Sequence, residues 1–148
     1  MKTQKSKWML CLLVIIYAFA MPTFADGDKP SVSKSTGNNA IVTPFFTNIT
    51  LFQNVFDIST DGKASISVYL TARNVDSVKV DASLQQFKNG SWLTIKSWTN
   101  TSVGTYAGVS GTYYVAKGYK YRFISYGYVY QNGIVCESTA YLSESKEY

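Results

Sequence analysis

Twice in this chain an Asn-Gly pair stands between two runs of alternating apolar and polar residues, and that arrangement leaves few folds open. Asn89-Gly90 separates "VKVDASLQQFK" from "SWLTIKSW", and Asn132-Gly133 separates "YRFISYGYVYQ" from "IVCESTAYLS". Both positions of a type I′ hairpin loop need positive φ, which asparagine and glycine tolerate, so each pair predicts a β-hairpin. A hairpin fixes register, and with side chains alternating at period two, register decides which residues share a face.

The same alternation runs through "KASISVYLTAR", where Ala64, Ile66, Val68, Leu70 and Ala72 share one side, and through Val78, Val80, Ala82 and Leu84. One side is core and the other mostly wet. Strands are expected near residues 45–56, 63–73, 77–87, 92–98, 103–109, 119–131 and 134–142. No stretch carries helical spacing and no internal repeat is visible. Seven short strands joined by short turns predict an all-β fold, a two-sheet antiparallel Greek-key sandwich of the immunoglobulin or fibronectin type III kind, with a small β-barrel as the alternative.

Centring the first loop on Asn89-Gly90 sets Leu84 opposite Ile95 in the core and Phe87 opposite Trp92 outside. The second loop sets Val129 opposite Cys136, Gly127 opposite Ser138 and Ser125 opposite Ala140 on the inner side. It sets Tyr130 opposite Val135, Tyr128 opposite Glu137, Tyr126 opposite Thr139 and Ile124 opposite Tyr141 on the outer. On this reading Cys136 is a buried, inert thiol.

The ends of the chain read differently. Residues 1–25 open with Lys2, Lys5 and Lys7, continue as an apolar run and close on small residues before Asp26, the pattern of a cleaved signal peptide. The apolar run is shorter than the roughly 20 residues that cross a bilayer, so no membrane span is expected after cleavage. Cys11 leaves with the leader, and Cys136 alone cannot form a disulfide within the chain. Residues 26–44 are polar and read as a disordered linker, 45–143 as the β-sandwich domain, and 144–148 as a flexible tail. The expected localisation is secreted and extracellular.

Cleavage also changes the charge. Three of the lysines behind the formal +5 lie in the leader, which leaves +2. That is too little to argue for nucleic acid, which is excluded as a partner.

One local motif bears on the fold. "VAKGYKY" places Val115 six residues before Tyr121 with Gly118 between. It resembles the tyrosine corner of fibronectin type III and immunoglobulin-like domains, in which a tyrosine hydroxyl ties down a crossing loop. At larger scale "LQQFKNGSWLTIKSW", "GTYYVAKGYKYRF" and "YQNGIVCES" after a signal peptide resemble an uncharacterised family of small secreted proteins of Gram-positive bacteria, a domain of unknown function. The resemblance covers most of residues 48–143. It implies a secreted β-rich protein without an assigned activity and supplies no functional residues.

In a fold of that type the third, fourth, sixth and seventh strands lie in one sheet, and their outward positions would form one surface carrying Phe87, Trp92, Trp98, Tyr126, Tyr128, Tyr130 and Tyr141, with Lys96, Lys120 and Arg122 beside them. These seven aromatics are the candidate binding face, since a monomer seldom leaves so large an apolar patch bare. Rings of this kind stack on sugars or on flat protein surfaces. The plainer explanation is a cross-strand ladder that stabilises the sheet by about 0.2–1 kcal/mol per pair.

Catalysis has little support. There is no histidine, and no serine stands in a nucleophile motif. "DISTDG" supplies Asp57, Ser59 and Asp61 in the pattern of half a calcium loop, but Val68 stands where the closing glutamate belongs, so a turn is expected and no metal. Sequons occur at Asn48, Asn89 and Asn100. No catalytic, cofactor-binding or metal-ligating residue is expected. The sequence points to a non-enzymatic extracellular binding or interaction module; the alternatives are a self-associating structural surface protein and a glycan-binding domain.

Overall fold

Both Asn-Gly hairpins form, and both carry an irregularity that alternation does not announce. The structure, a computed structural model, describes Val32–Lys34 and residues 46–148. The leader assigned to residues 1–25 and most of the linker lie outside the described residues. Among the described residues the elements are β1 (Val32–Lys34), β2 (Ile49–Ile58), β3 (Lys63–Ala72), β4 (Ser77–Lys88), β5 (Ser91–Val103), β6 (Tyr106–Tyr114), β7 (Lys120–Gln131), β8 (Ile134–Leu142) and β9 (Lys146–Glu147). The seven expected strands are β2 to β8, with β5 running on to Val103 and β6 displaced to 106–114.

They build a sandwich. One sheet has the order β2-β3-β6, the other β1-β8-β7-β4-β5, with β9 added to β7. All pairings are antiparallel except β1 on β8. The chain changes sheet between β1 and β2, between β3 and β4, between β5 and β6 and again between β6 and β7. The inward residues read from the alternation of β3 and β4 are all buried, and Phe123, Val129, Tyr121 and Ala107 join them from β7 and β6. Each fully buried Val, Leu or Phe side chain among them contributes about 1.5–3 kcal/mol.

The crossing from β6 to β7 is fastened at Tyr121. Its ring is wholly buried, and its hydroxyl donates to the Ala116 carbonyl at 2.7 Å while accepting from Gln86 Nε2 at 2.9 Å. Gly118 in that loop has φ +86°, a conformation that a residue with a Cβ adopts only under strain.

The irregularities are two bulges. Asn89, Gly90, Asn132 and Gly133 all have positive φ, as type I′ loops require. In the first hairpin Phe87 faces Trp92 as expected and Gln85 faces Thr94, but Leu84 then faces Lys96, so Ile95 is an extra residue in the ladder, though its side chain still packs on the core cluster of Ala64, Leu84 and Tyr121 as expected. In the second, Tyr130 faces Val135, but Val129 then faces Glu137, leaving Cys136 extra. One inserted residue turns every later side chain to the other face. Beyond Cys136 the expected pairs are therefore replaced: Tyr128 faces Ser138, Gly127 faces Thr139, Tyr126 faces Ala140, Ser125 faces Tyr141 and Ile124 faces Leu142.

The cysteine is corrected with its register. Cys136 is exposed, its thiol donating to the Val129 carbonyl at 3.4 Å, because a bulged residue stands outside the alternation. Glu137, expected outward beside Tyr128, instead accepts the backbone N–H groups of Thr47 at 2.7 Å, Asn48 at 2.9 Å and Ile49 at 2.6 Å. It thereby ties the entry of β2 in the smaller sheet to β8 in the larger.

Two terminal segments also differ from expectation. Val32–Lys34, within the linker read as disordered, pairs in parallel with Ala140–Leu142. The tail read as flexible is held: Lys146 and Glu147 pair with β7, Lys146 Nζ lies 2.6 Å from Asp57 Oδ1, and the Tyr148 N–H donates to the Tyr119 carbonyl at 3.1 Å. The Tyr148 ring stands where a Cβ on Gly62 would be, so that glycine makes room for it. These contacts are long-range and leave no local sign.

Candidate functional site

The outward side of the larger sheet is built in rows across β7, β4 and β5. Tyr128 stands beside Lys79 and Thr101, Tyr126 beside Asp81 and Thr99, Ile124 beside Ser83 and Ser97, Arg122 beside Gln85 and Thr94, and Lys120 beside Phe87 and Trp92. Of the expected face, Phe87, Trp92, Tyr126, Tyr128 and Tyr130 are brought together here. Trp98 and Tyr141 are not. Both follow a bulge and turn inward: Trp98 lies over Gly111 of β6, and Tyr141 packs on Phe123 with ring centroids 6.3 Å apart. Burial pushes the Tyr141 phenol above its ordinary pKa, with Glu144 adding to the effect.

The remaining rings fall into two groups. At one end Phe87 and Trp92 meet at 5.2 Å, and the Arg122 guanidinium lies 4.2 Å from the centre of the Trp92 ring. Arg122 Nε donates to Gln85 Oε1 at 2.7 Å, which fixes the plane of the cation. Burial lowers the pKa of Arg122, though not enough to discharge a guanidinium. At the other end Lys79 Nζ lies 5.6 Å from the centre of the Tyr128 ring and 2.7 Å from Asp81 Oδ2, and the bond to Asp81 raises its pKa. Asp81 also accepts from the Thr99 hydroxyl at 2.6 Å. Burial raises the Tyr128 phenol, with Asp81 pushing the same way.

Between the groups the row is Ile124, Ser83 and Ser97, without an aromatic or a charge. Ser83 and Ser97 hydroxyls are 3.1 Å apart on the floor of a shallow depression of about 280 Å³ that Asp81 and Thr99 also line. The arrangement offers flat apolar rings, the cations Lys79, Lys120 and Arg122, and hydroxyl groups on one continuous surface. Lys79 and Gln85 were not among the residues singled out from the sequence; their outward parity in β4 was the signal that could have found them.

Elsewhere the chemistry is structural. Ser59 caps the turn of "DISTDG" by bonding Asp61 and the Lys63 carbonyl, and the bond from Ser59 lowers the pKa of Asp61. Asp57 is taken by Lys146, whose hydrogen bond lowers its pKa. Among the described residues no group of three or more Cys, Asp and Glu side chains is placed to hold a metal ion. No helix among them is long and apolar enough to cross a membrane.

Fold and face together define a two-sheet β-sandwich with an aromatic and cationic surface on its larger sheet. No family model matches the chain, and no curated protein matches it. Among solved structures it is similar to a glycosyl hydrolase family 2 member from Bacteroides cellulosilyticus DSM 14838, at 13% identity and a TM-score of 0.39 over 64% of this chain. The chain spans 15% of that protein's length.

Proposed function

We propose that this protein is a secreted, non-enzymatic extracellular binding module that engages its partner through the outer face of β4, β5 and β7. The observation that carries the reading is the Trp92–Arg122 stack beside the half-exposed Phe87, on the same surface as Tyr126, Tyr128 and Tyr130. Tryptophan, tyrosine and arginine are the residues that dominate binding energy at protein surfaces, because they present large rigid area with a polar or charged edge. The absence of histidine supports binding over catalysis. So does the engagement of Asp57, Asp61, Asp76, Asp81 and Glu137 in structural bonds, which leaves no free pair of them to act as acid and base.

The test is sedimentation velocity of the protein over a concentration series, with and without purified bacterial cell-wall material. It is run in parallel on a Tyr126, Tyr128, Tyr130→Ser variant and on Trp92→Ala, each checked for folding. Wild-type association or co-sedimentation that both folded variants lose supports the reading. If wild type and variants all remain monomeric and unbound, the rings serve the sheet alone.

A further inference from the structure

The smaller sheet has an outward face that the reading of the sequence did not single out. Its rows run Leu51, Thr71, Tyr106; then Gln53, Tyr69, Gly108; then Val55, Ser67, Ser110. No charged residue stands in these three rows. Leu51 is 48%, Val55 50%, Tyr69 38% and Tyr106 51% exposed, so the apolar groups lie open.

The two tyrosines form a unit. Their ring centroids are 6.2 Å apart and their planes differ by 22°. They converge over Gly108, where a Cβ would stand 2.5 Å from the Tyr106 hydroxyl and 2.9 Å from Tyr69 Cδ1. The glycine is what lets both rings settle there. Among the described residues neither hydroxyl bonds another protein group, and no cation sits on either ring.

We propose that this face is a second binding site, distinct from the face of the larger sheet, and that its ligand is a neutral polysaccharide strand. A pyranose ring presents an apolar C–H face that stacks on a flat aromatic ring, and two adjacent near-parallel rings offer a linked chain more than one such contact. The hydroxyl and amide groups of Thr71, Ser67, Ser110 and Gln53 around them are donors and acceptors of the kind that sugar hydroxyls pair with. With no charge in the three rows, a polyanion gains nothing there. A second copy of the chain fits less well. Three strands span roughly 14 Å, so the charge-free rows cover about 300 Å², against about 800 Å² per partner in a stable protein interface. A narrow, elongated ligand matches that shape.

The experiment measures depletion of the protein by microcrystalline cellulose and by chitin, and its retardation in gels containing mixed-linkage β-glucan, at low and high salt. Variants are Tyr69→Ala with Tyr106→Ala, Tyr106→Phe, and Trp92→Ala on the opposite face. Binding to at least one of these neutral glycans is expected, insensitive to salt. It should weaken at least tenfold in the double alanine variant and stay within about twofold in Tyr106→Phe and Trp92→Ala. Should the double variant fail to fold, Tyr106→Ser and Gly108→Ala, which displaces both rings, read the same loss. Failure of the wild type to bind any of the three overturns the proposal, as does binding that survives loss of both rings. Loss in Trp92→Ala alone would assign the glycan to the larger sheet. Concentration-dependent self-association that the double variant abolishes would make a second copy the occupant and overturn the glycan assignment.

Discussion

The outer faces of the two sheets are both rich in tyrosine, and they expose their rings on different terms. On the larger sheet Tyr126, Tyr128, Tyr130 and Trp92 are half-buried, and a cation lies on a ring at each end, Arg122 on Trp92 and Lys79 on Tyr128. On the smaller sheet Tyr106 is half exposed and its neighbour is another tyrosine. A cation on a ring contributes about 0.5–1 kcal/mol at the surface and also covers it from water. The richest aromatic stretch of the sequence, β7, is therefore the better shielded of the two, and the barer rings come from β3, which holds one aromatic, and β6, which holds three. Aromatic count alone does not locate open aromatic surface; cations from neighbouring strands cover some of the rings.

The comparison depends on which rings each face receives, and the bulges set that. Deleting Cys136 should break it most severely. Tyr141 would move from the core to the outer face, and Glu137 would leave the amides of Thr47, Asn48 and Ile49. Orphaning the half-buried Asn48 and buried Ile49 donors and vacating a core position should cost on the order of 3 kcal/mol or more, read as loss of the cooperative urea transition. Gly111→Ala tests the other bulge. A Cβ there would stand 2.2 Å from Trp98 Nε1, so an inward Trp98 must shift, at about 1–3 kcal/mol by urea midpoint. A neutral result would mean that Trp98 belongs to the outer face after all.

Arg122→Ala sharpens the contrast in shielding. It should cost about 1 kcal/mol and red-shift tryptophan emission as Trp92 meets water. Removing a ring from the smaller face, by Tyr106→Ala, should cost a similar amount or less, since no cation pair is lost.

The smallest effects are in pH. Tyr128 and Tyr141 both have phenol pKa values raised by burial, so their contribution is complete below the unfolded value of about 10 and is lost as pH rises through the folded values. Stability should decline on the alkaline side, and less steeply in Tyr141→Phe. Asp57 has the opposite sign. Its pKa is lowered by Lys146, so its contribution is present above the unfolded carboxylate value and fades as pH falls through the folded one. Lys146→Met should flatten the acid limb of stability against pH.

Much of this architecture was legible because its causes are local. Asn89-Gly90 and Asn132-Gly133 need only their own backbone preferences to make turns, and the inward positions of β3 and β4 need only period two. What failed was parity beyond the turn. Nothing in "WLTIKSW" marks Ile95 as an extra residue, and nothing in "IVCES" marks Cys136. Each shows only in the register that its strand takes against its hairpin partner. A single cause per hairpin therefore accounts for the misplacing of Trp98 in one, and of Tyr141, Glu137 and Cys136 in the other. The docking of Lys146 and Tyr148 was hidden because their partners Asp57, Gly62 and Tyr119 are remote in sequence.

Glu137 has a mechanical consequence. The first strand of the smaller sheet, β2, begins at Ile49, whose amide is one of the three that this carboxylate holds. A pull on Thr47 is therefore shared at once with β8 in the opposite sheet. The first strand of the smaller sheet cannot be peeled away until three hydrogen bonds to one side chain have broken.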